Sequence, residues 1–210
     1  MEWMRKLERR YGRYAIQGLM KYLCVGMLGV FILDYLPGLK SASALLMFDR
    51  ALILKGQVWR LFTFIFLPPT GSILFILINL YFDYFLGSSL ENHWGSARFC
   101  LYYLIGVLSN IAAGFLTGYA TNYYLNLSLL LSFAALYPDM DFLLFFVLPV
   151  KVKWLGLIDG ALLVFEFLQA GWVGKVSLLL SLLPFFLFFG KDVWLRLRMD
   201  YRKIRRYFLR

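Results

Sequence analysis

The chain has 210 residues, 61% of them hydrophobic and 20% aromatic, and its 22 Lys and Arg outweigh 12 Asp and Glu to give a net charge of +10. That apolar content is well above the roughly 45–50% usual in soluble domains, so a water-soluble globule is excluded in favour of an integral membrane protein. The basic residues collect at the two ends and beside apolar blocks rather than on a soluble module, which points to membrane topology and away from nucleic acid as a partner.

Residues 1–14 form a basic segment with Arg5, Lys6, Arg9, Arg10 and Arg13. No small-residue cleavage site follows the first apolar block, so the block reads as a span and not as a removable signal. Six spans are expected, at Ala15–Leu36, Ser72–Gly87, Phe99–Tyr119, Tyr124–Tyr137, Trp154–Leu168 and Val173–Phe189. In lipid each must satisfy its backbone internally, and a helix does so within about 20 residues. The fold class is therefore an all-α, polytopic membrane bundle with one domain over residues 15–190. An even number of spans puts both termini on one side, and the clustering of Lys and Arg makes that side the cytoplasm.

Between the first two spans, Pro37–Gly71 holds the moderately apolar stretch Ser43–Leu54 and the pair Pro68-Pro69. It is too broken to cross and is expected in or on the outer leaflet. The short stretch Phe142–Pro149 runs into Lys151, Lys153 and Trp154, residues of a headgroup boundary, and is expected to be an interfacial element. In residues 191–210, Trp194, Leu197, Tyr201, Ile204 and Phe208 recur at spacings of three and four, with basic residues between them. This is the pattern of an amphipathic helix lying on anionic lipid headgroups, or else meeting a partner protein.

Cys24 and Cys100 both lie inside apolar spans, where packing is the expected role rather than a disulfide or metal pair. No glycine-rich phosphate loop, metal-ligand cluster or haem signature is present, and no cofactor is expected. Intramembrane polar residues are the candidate site. Asn79 and Asp83 are four apart on span two; Asp159 and Glu166 are seven apart on span five, so each pair shares a helix face. Charge in lipid is costly, so these residues should face the bundle interior or water. They can serve as internal packing contacts, or carry ions in a small transporter. Span three repeats Gly106, Asn110, Gly114 and Gly118 every four residues, a stripe that permits close helix approach with Asn110 free for an interhelical hydrogen bond.

Two further stretches carry a resemblance. The run Gly56-Gln57-Val58-Trp59-Arg60-Leu61-Phe62-Thr63 precedes span two, and Gly87-Ser88-Ser89-Leu90-Glu91-Asn92-His93-Trp94-Gly95-Ser96-Ala97-Arg98-Phe99 follows it. Together they resemble the rhomboid family, with Asn79 at the place of that family's span-two asparagine. The segment from Leu136-Tyr137-Pro138 to Lys153-Trp154 is similar to bacterial members. The resemblance spans roughly residues 15 to 190 and implies a six-span rhomboid-like fold in a bacterial plasma membrane. Gly56, Trp59, Arg60, Gly87, Glu91, Gly95 and Arg98 then become structural motif residues. Trp59 and Arg60 read as interface anchors, and Glu91 as an acceptor for loop amides or a partner of Arg98 in a short cytoplasmic loop.

The resemblance also implies a serine in a G-x-S-G elbow at the start of span four and a histidine in span six. Counting back from Leu136-Tyr137-Pro138 puts Thr121-Asn122-Tyr123-Tyr124 at the elbow, with Tyr123 at the serine position and Ser128 five residues on. The one histidine, His93, falls in the loop after span two, and span six offers Lys175, Ser177 and Ser181 instead. Pro68 and Phe75 stand near the place of the family's outer-leaflet histidine. The expected protein is thus a rhomboid-like pseudoprotease with no catalytic residue, which binds or routes transmembrane clients. A serine protease with a Ser–Lys pair and a small transporter are the alternatives.

Overall fold

All six apolar stretches fold as helices, because an apolar backbone without water has no other local way to pair its N–H and C=O groups. The computed structural model describes residues 15–36, 42–69, 72–144 and 148–190. The basic segment 1–14 and the amphipathic tail 191–210 lie outside the described residues.

In chain order the elements are α1 (Leu19–Tyr35), three short helices α2 (Ala42–Leu46), α3 (Arg50–Leu54) and α4 (Arg60–Thr63), a 3-10 turn (Phe64–Phe66), α5 (Ile73–Trp94), α6 (Ser96–Thr117) and α7 (Tyr123–Leu136). A two-stranded antiparallel ribbon follows, β1 (Asp141–Leu144) with β2 (Leu148–Lys151), pairing Asp141 with Lys151. Then come α8 (Val152–Gln169), α9 (Trp172–Ser181) and α10 (Leu183–Gly190). The stretch expected as an interfacial element is therefore this ribbon, the one departure from an all-helical chain among the described residues.

By length and composition α5 and α6 can each cross a membrane, and α9 with α10 make a third span if their 54° bend is counted as one broken helix. At 1.5 Å per residue the 22-residue α5 and α6 each extend about 33 Å, against a hydrocarbon core of about 30 Å. The other expected spans come up short or charged. α1 stops at 17 residues and α7 at 14, while α8 carries Lys153, Asp159 and Glu166.

α7 is central: it packs on α5, α6, α8 and α9, while α6 and α9 form the most extensive helix pairing. The core along it is made by Tyr102, Leu125, Leu129 and Phe133, with Leu86 and Leu90 from α5. Close approach comes from small residues. A Cβ on Gly106 would run into the Leu125 side chain, and one on Gly156 into Ala134, so α6 and α8 both press against α7 at positions where only hydrogen fits.

The loop expected at residues 88–98 is instead almost wholly helical. α5 runs on to Trp94 and α6 begins at Ser96, leaving Gly95 alone between them with φ 83° and ψ 153°. That backbone conformation is open to glycine and strained for any side chain, so one residue reverses the chain. Glu91 and His93 accordingly lie in the last turn of α5, not in a loop.

Candidate functional site

The glycine-to-threonine run before span two binds a short helix. A helix leaves its last four carbonyls without internal partners, and those around the end of α2 are taken up one by one. The Arg60 guanidinium donates through Nη1 to Ala44 O (3.0 Å) and Met47 O (2.7 Å), Trp59 Nε1 reaches Leu45 O (3.4 Å), and Thr63 Oγ1 donates to Leu46 O (2.9 Å). Arg60 Nε is held by Gln57 Oε1 at 2.7 Å. Gly56, with φ 103°, makes the turn that brings this run round. Trp59 is half exposed, as an interface ring should be, but Arg60 is 4% exposed. The expectation of a snorkelling, water-facing Arg60 is corrected: its charge is spent on α2. At the other end of α2, Asp34 takes the Ser43 amide (3.0 Å) and hydroxyl, fastening this helix to α1.

At the opposite end of the bundle Glu91 does similar work. Its Oε1 accepts from the Gly18 amide at 2.8 Å and from Ser96 Oγ at 2.6 Å, joining the start of α1 to both sides of the Gly95 turn. Gly87, one turn earlier, lets Met20 of α1 lie against α5. Arg98 sits in the first turn of α6, half-buried. His93 is exposed, with Nδ1 3.0 Å from the Tyr137 hydroxyl.

The elbow position lies at the end of the bundle that carries α2 to α4. Asn122 Nδ2 donates to Ile65 O (3.2 Å) and Leu67 O (2.9 Å), tying the start of α7 to the chain after α4. Tyr123 is exposed. Beside them a cavity of about 70 Å³ opens between α6, α7 and α9, lined among others by Asn110, Thr121, Tyr124, Ser177 and Ser181. Its hydroxyls are partly spent: Ser181 Oγ donates to Asn110 Oδ1 at 3.0 Å, which is the interhelical bond expected of Asn110. Among the described residues, neither histidine nor lysine lines it. His93 lies at the far end of α5, 20 residues or about 30 Å along the helix from its start at Ile73. Lys175 lies 5.6 Å from the Phe167 ring centroid and 5.8 Å from that of Trp172, a cation held on two aromatic faces. Ser128 is fully buried. Its Oγ donates to Leu125 O (2.6 Å) and meets the Tyr102 hydroxyl (2.9 Å), which also meets Ser132 Oγ (2.9 Å).

The intramembrane polar residues separate into different environments. Asn79 donates to Phe75 O on its own helix, at 2.8 Å. Asp83 is buried and accepts from Asn126 Nδ2 of α7 at 2.9 Å. Asp159 is buried on the face of α8 that also buries Gly156 and Leu163, and its Oδ2 has no partner among the described residues. Glu166, on the same face of the helix, is nevertheless exposed, because it lies in the last turn of α8. There it accepts a hydrogen bond from the Tyr124 hydroxyl. Both cysteines are free thiols bonded to carbonyls, Cys24 to Leu80 O and Cys100 to Ile16 O.

Sequence reasoning missed Asn126 and Tyr102, and gave Asn122 and Tyr124 a place at the elbow without their partners. Two asparagines four apart at the head of an apolar helix were the available signal, since an amide in lipid requires a partner.

Among known families, the model of the Rhomboid domain matches residues 55–173, from Lys55 ahead of the Trp59-Arg60 run to the first turn of α9. No curated protein matches the chain.

Proposed function

This chain belongs to the rhomboid family, and we propose that it is a member without protease activity, which receives transmembrane helices of client proteins between α5 and α8 and retains or routes them uncut. The observation that carries this reading is the make-up of the cavity at the elbow position. Among the described residues it offers hydroxyls and an amide but no imidazole or amine to take a proton from them. A serine hydroxyl is a weak nucleophile without such a base. Ser128 is shut away in the core on Tyr102.

Client binding needs only acceptors and an apolar face. α5 turns Leu74, Phe75, Tyr81 and Tyr84 outward, and α8 turns out Leu162 and Phe165. Both helices pack on α7. The unspent Oδ2 of Asp159 is an acceptor that a client donor takes when α8 tilts away, at roughly 0.6–2 kcal/mol per hydrogen bond in a membrane. A few such bonds suit reversible retention. We place the protein in a bacterial plasma membrane with both termini cytoplasmic, its basic tail on anionic headgroups.

The test is photo-crosslinking in membranes from probes at Asn79 and Glu166, with a lipid-facing probe on α1 as control and an active-site phosphonate as a second label. Expected are uncleaved transmembrane partners from the two probes but not from the control, and no phosphonate on any serine. Cleavage of a partner, abolished by Ser128→Ala, Ser177→Ala or Ser181→Ala, overturns the inactive reading. Absence of any partner overturns client binding.

A further inference from the structure

The two halves of α5 have different surroundings. Towards its start Ile73, Leu74, Phe75, Leu77, Tyr81 and Tyr84 are exposed. By contrast, no residue from Phe85 to Glu91 is exposed. The change falls where the β1–β2 ribbon reaches the helix. Phe142 of β1 sets its ring against Phe82, with 4.9 Å between centroids and 71° between planes, and against Phe85 at 5.6 Å and 50°. Phe82 and Phe85 are three apart on one face of α5, with Ile78 a turn before them and Ser89 a turn after.

The base of the ribbon belongs to α8. β2 ends at Lys151 and α8 starts at Val152. Val152 N donates to Met140 O (2.9 Å) and Lys153 N to Pro138 O (3.1 Å), while the Lys153 ammonium lies 3.3 Å from Asp139 Oδ1. α5 and α8 pack on α7 more than on each other, so the ribbon is a bridge from the first turn of α8 to the middle of α5. At 1.5 Å per residue Phe82 and Phe85 stand about 14 and 18 Å from the start of a helix about 33 Å long.

We propose that Phe142 is a depth stop in the α5–α8 opening: a client helix lies against the half of α5 that runs from Ile73 to Tyr84 and is blocked at the Phe142 ring. The inference rests on the reading of this face as a client site, and adds which part of the client is recognised. A contact about 18 Å long engages only about half of a helix that crosses a core of about 30 Å. Selection among clients then depends on the half that enters beside the start of α5, and the remainder of the client stays in lipid.

Photo-crosslinking in membranes from probes at Ile78 and at Ser89 tests the stop. In the otherwise unaltered protein, clients should be captured from Ile78 and not from Ser89. Phe142→Ala should raise capture at Ser89 at least about fivefold, since each of two ring pairs shifts an equilibrium by about two- to tenfold, and should leave capture at Ile78 as it was. Phe142→Tyr keeps the ring and should leave Ser89 without partners. Phe82→Ala removes one ring pair from the α5 side and should give a smaller rise, which keeps the question answerable if Phe142→Ala does not fold. Equal capture at both positions without any Phe142 or Phe82 change, or no rise at Ser89 in either alanine variant, overturns the stop. The closure is also read without a client. In the purified full chain carrying Cys24→Ser and Cys100→Ser, Ser89→Cys should react with a lipid-soluble maleimide at least about fivefold faster once Phe142 is replaced by alanine. Faster labelling with no partner captured from Ile78 overturns the client reading, and the stop with it, while the ribbon's cover over α5 stands. Unchanged labelling with partners still captured from Ile78 overturns the stop alone.

Discussion

Arg60→Ala is expected to lower the stability of the folded bundle by about 2–4 kcal/mol, read as a fall in the unfolding midpoint in detergent. The guanidinium donates to two carbonyls at the end of α2 and is itself buried. Hydrogen bonds to charged groups contribute about 1.5–3 kcal/mol each, and alanine would leave both carbonyls unpaired. Arg60→Lys is the informative companion. Both carbonyls take their bonds from the one nitrogen Nη1, so an ammonium at that place could still serve them, but lysine is shorter and loses the planar group that Gln57 holds in position through Nε, so lysine should recover only part of the loss. Because α2 is five residues long and has no stability of its own, proteolysis between residues 42 and 50 should rise in step with the loss. An unchanged midpoint in Arg60→Ala would mean that α2 holds its place without these bonds.

Glu91→Ala should cost a similar amount, about 2–4 kcal/mol, but release a different part of the molecule. Both bonds converge on one oxygen, so alanine frees the Gly18 amide and the Ser96 hydroxyl together. Glu91→Gln keeps the acceptor and its reach and should retain roughly half of the stability. The readout that separates this from general loosening is hydrogen exchange at Gly18 and its neighbours. It should accelerate in Glu91→Ala while exchange at Asn122 and Tyr123, at the far end of the bundle, stays as it was. If exchange speeds up equally at both ends, Glu91 is not a local clasp.

Legibility differed by kind of feature. The placement of the helices was readable because an apolar run in lipid has one structural outcome, and each of the six expected stretches lies within a few residues of a helix or of the bent pair α9 and α10. The boundaries moved where polar residues intervened. Residues 88–94 look like a loop by composition, yet they continue α5, because Glu91 and Ser88 belong to its packed end and Gly95 alone supplies the turn. The ribbon β1–β2 was hidden because Phe142–Pro149 is apolar without the alternation that marks a strand. Arg60 was misread for a related reason: sequence gives its charge but not the four carbonyls that a five-residue helix places beside its motif. At the candidate site, Asp83 and Asp159 could be singled out as costly residues, but their partners could not. Asn126 lies 43 positions from Asp83 in sequence, and only the packing of α5 on α7 brings them together.

The single-residue turn at Gly95 also bears on how the chain enters the bilayer. Among the described residues, α5 and α6 are the two helices that meet the length and apolar composition of a span on their own, and they are adjacent, joined by one glycine. They can therefore partition together as a helical hairpin, with backbone fully paired, before any neighbour is in place. α7, at 14 residues and about 21 Å, cannot bridge the hydrocarbon core alone and carries Asn122 and Asn126 at its head. Its natural time of arrival is after the hairpin, when Asp83 is already there to receive it. Assembly of this protein then proceeds outward from the middle of its sequence rather than from its first residue.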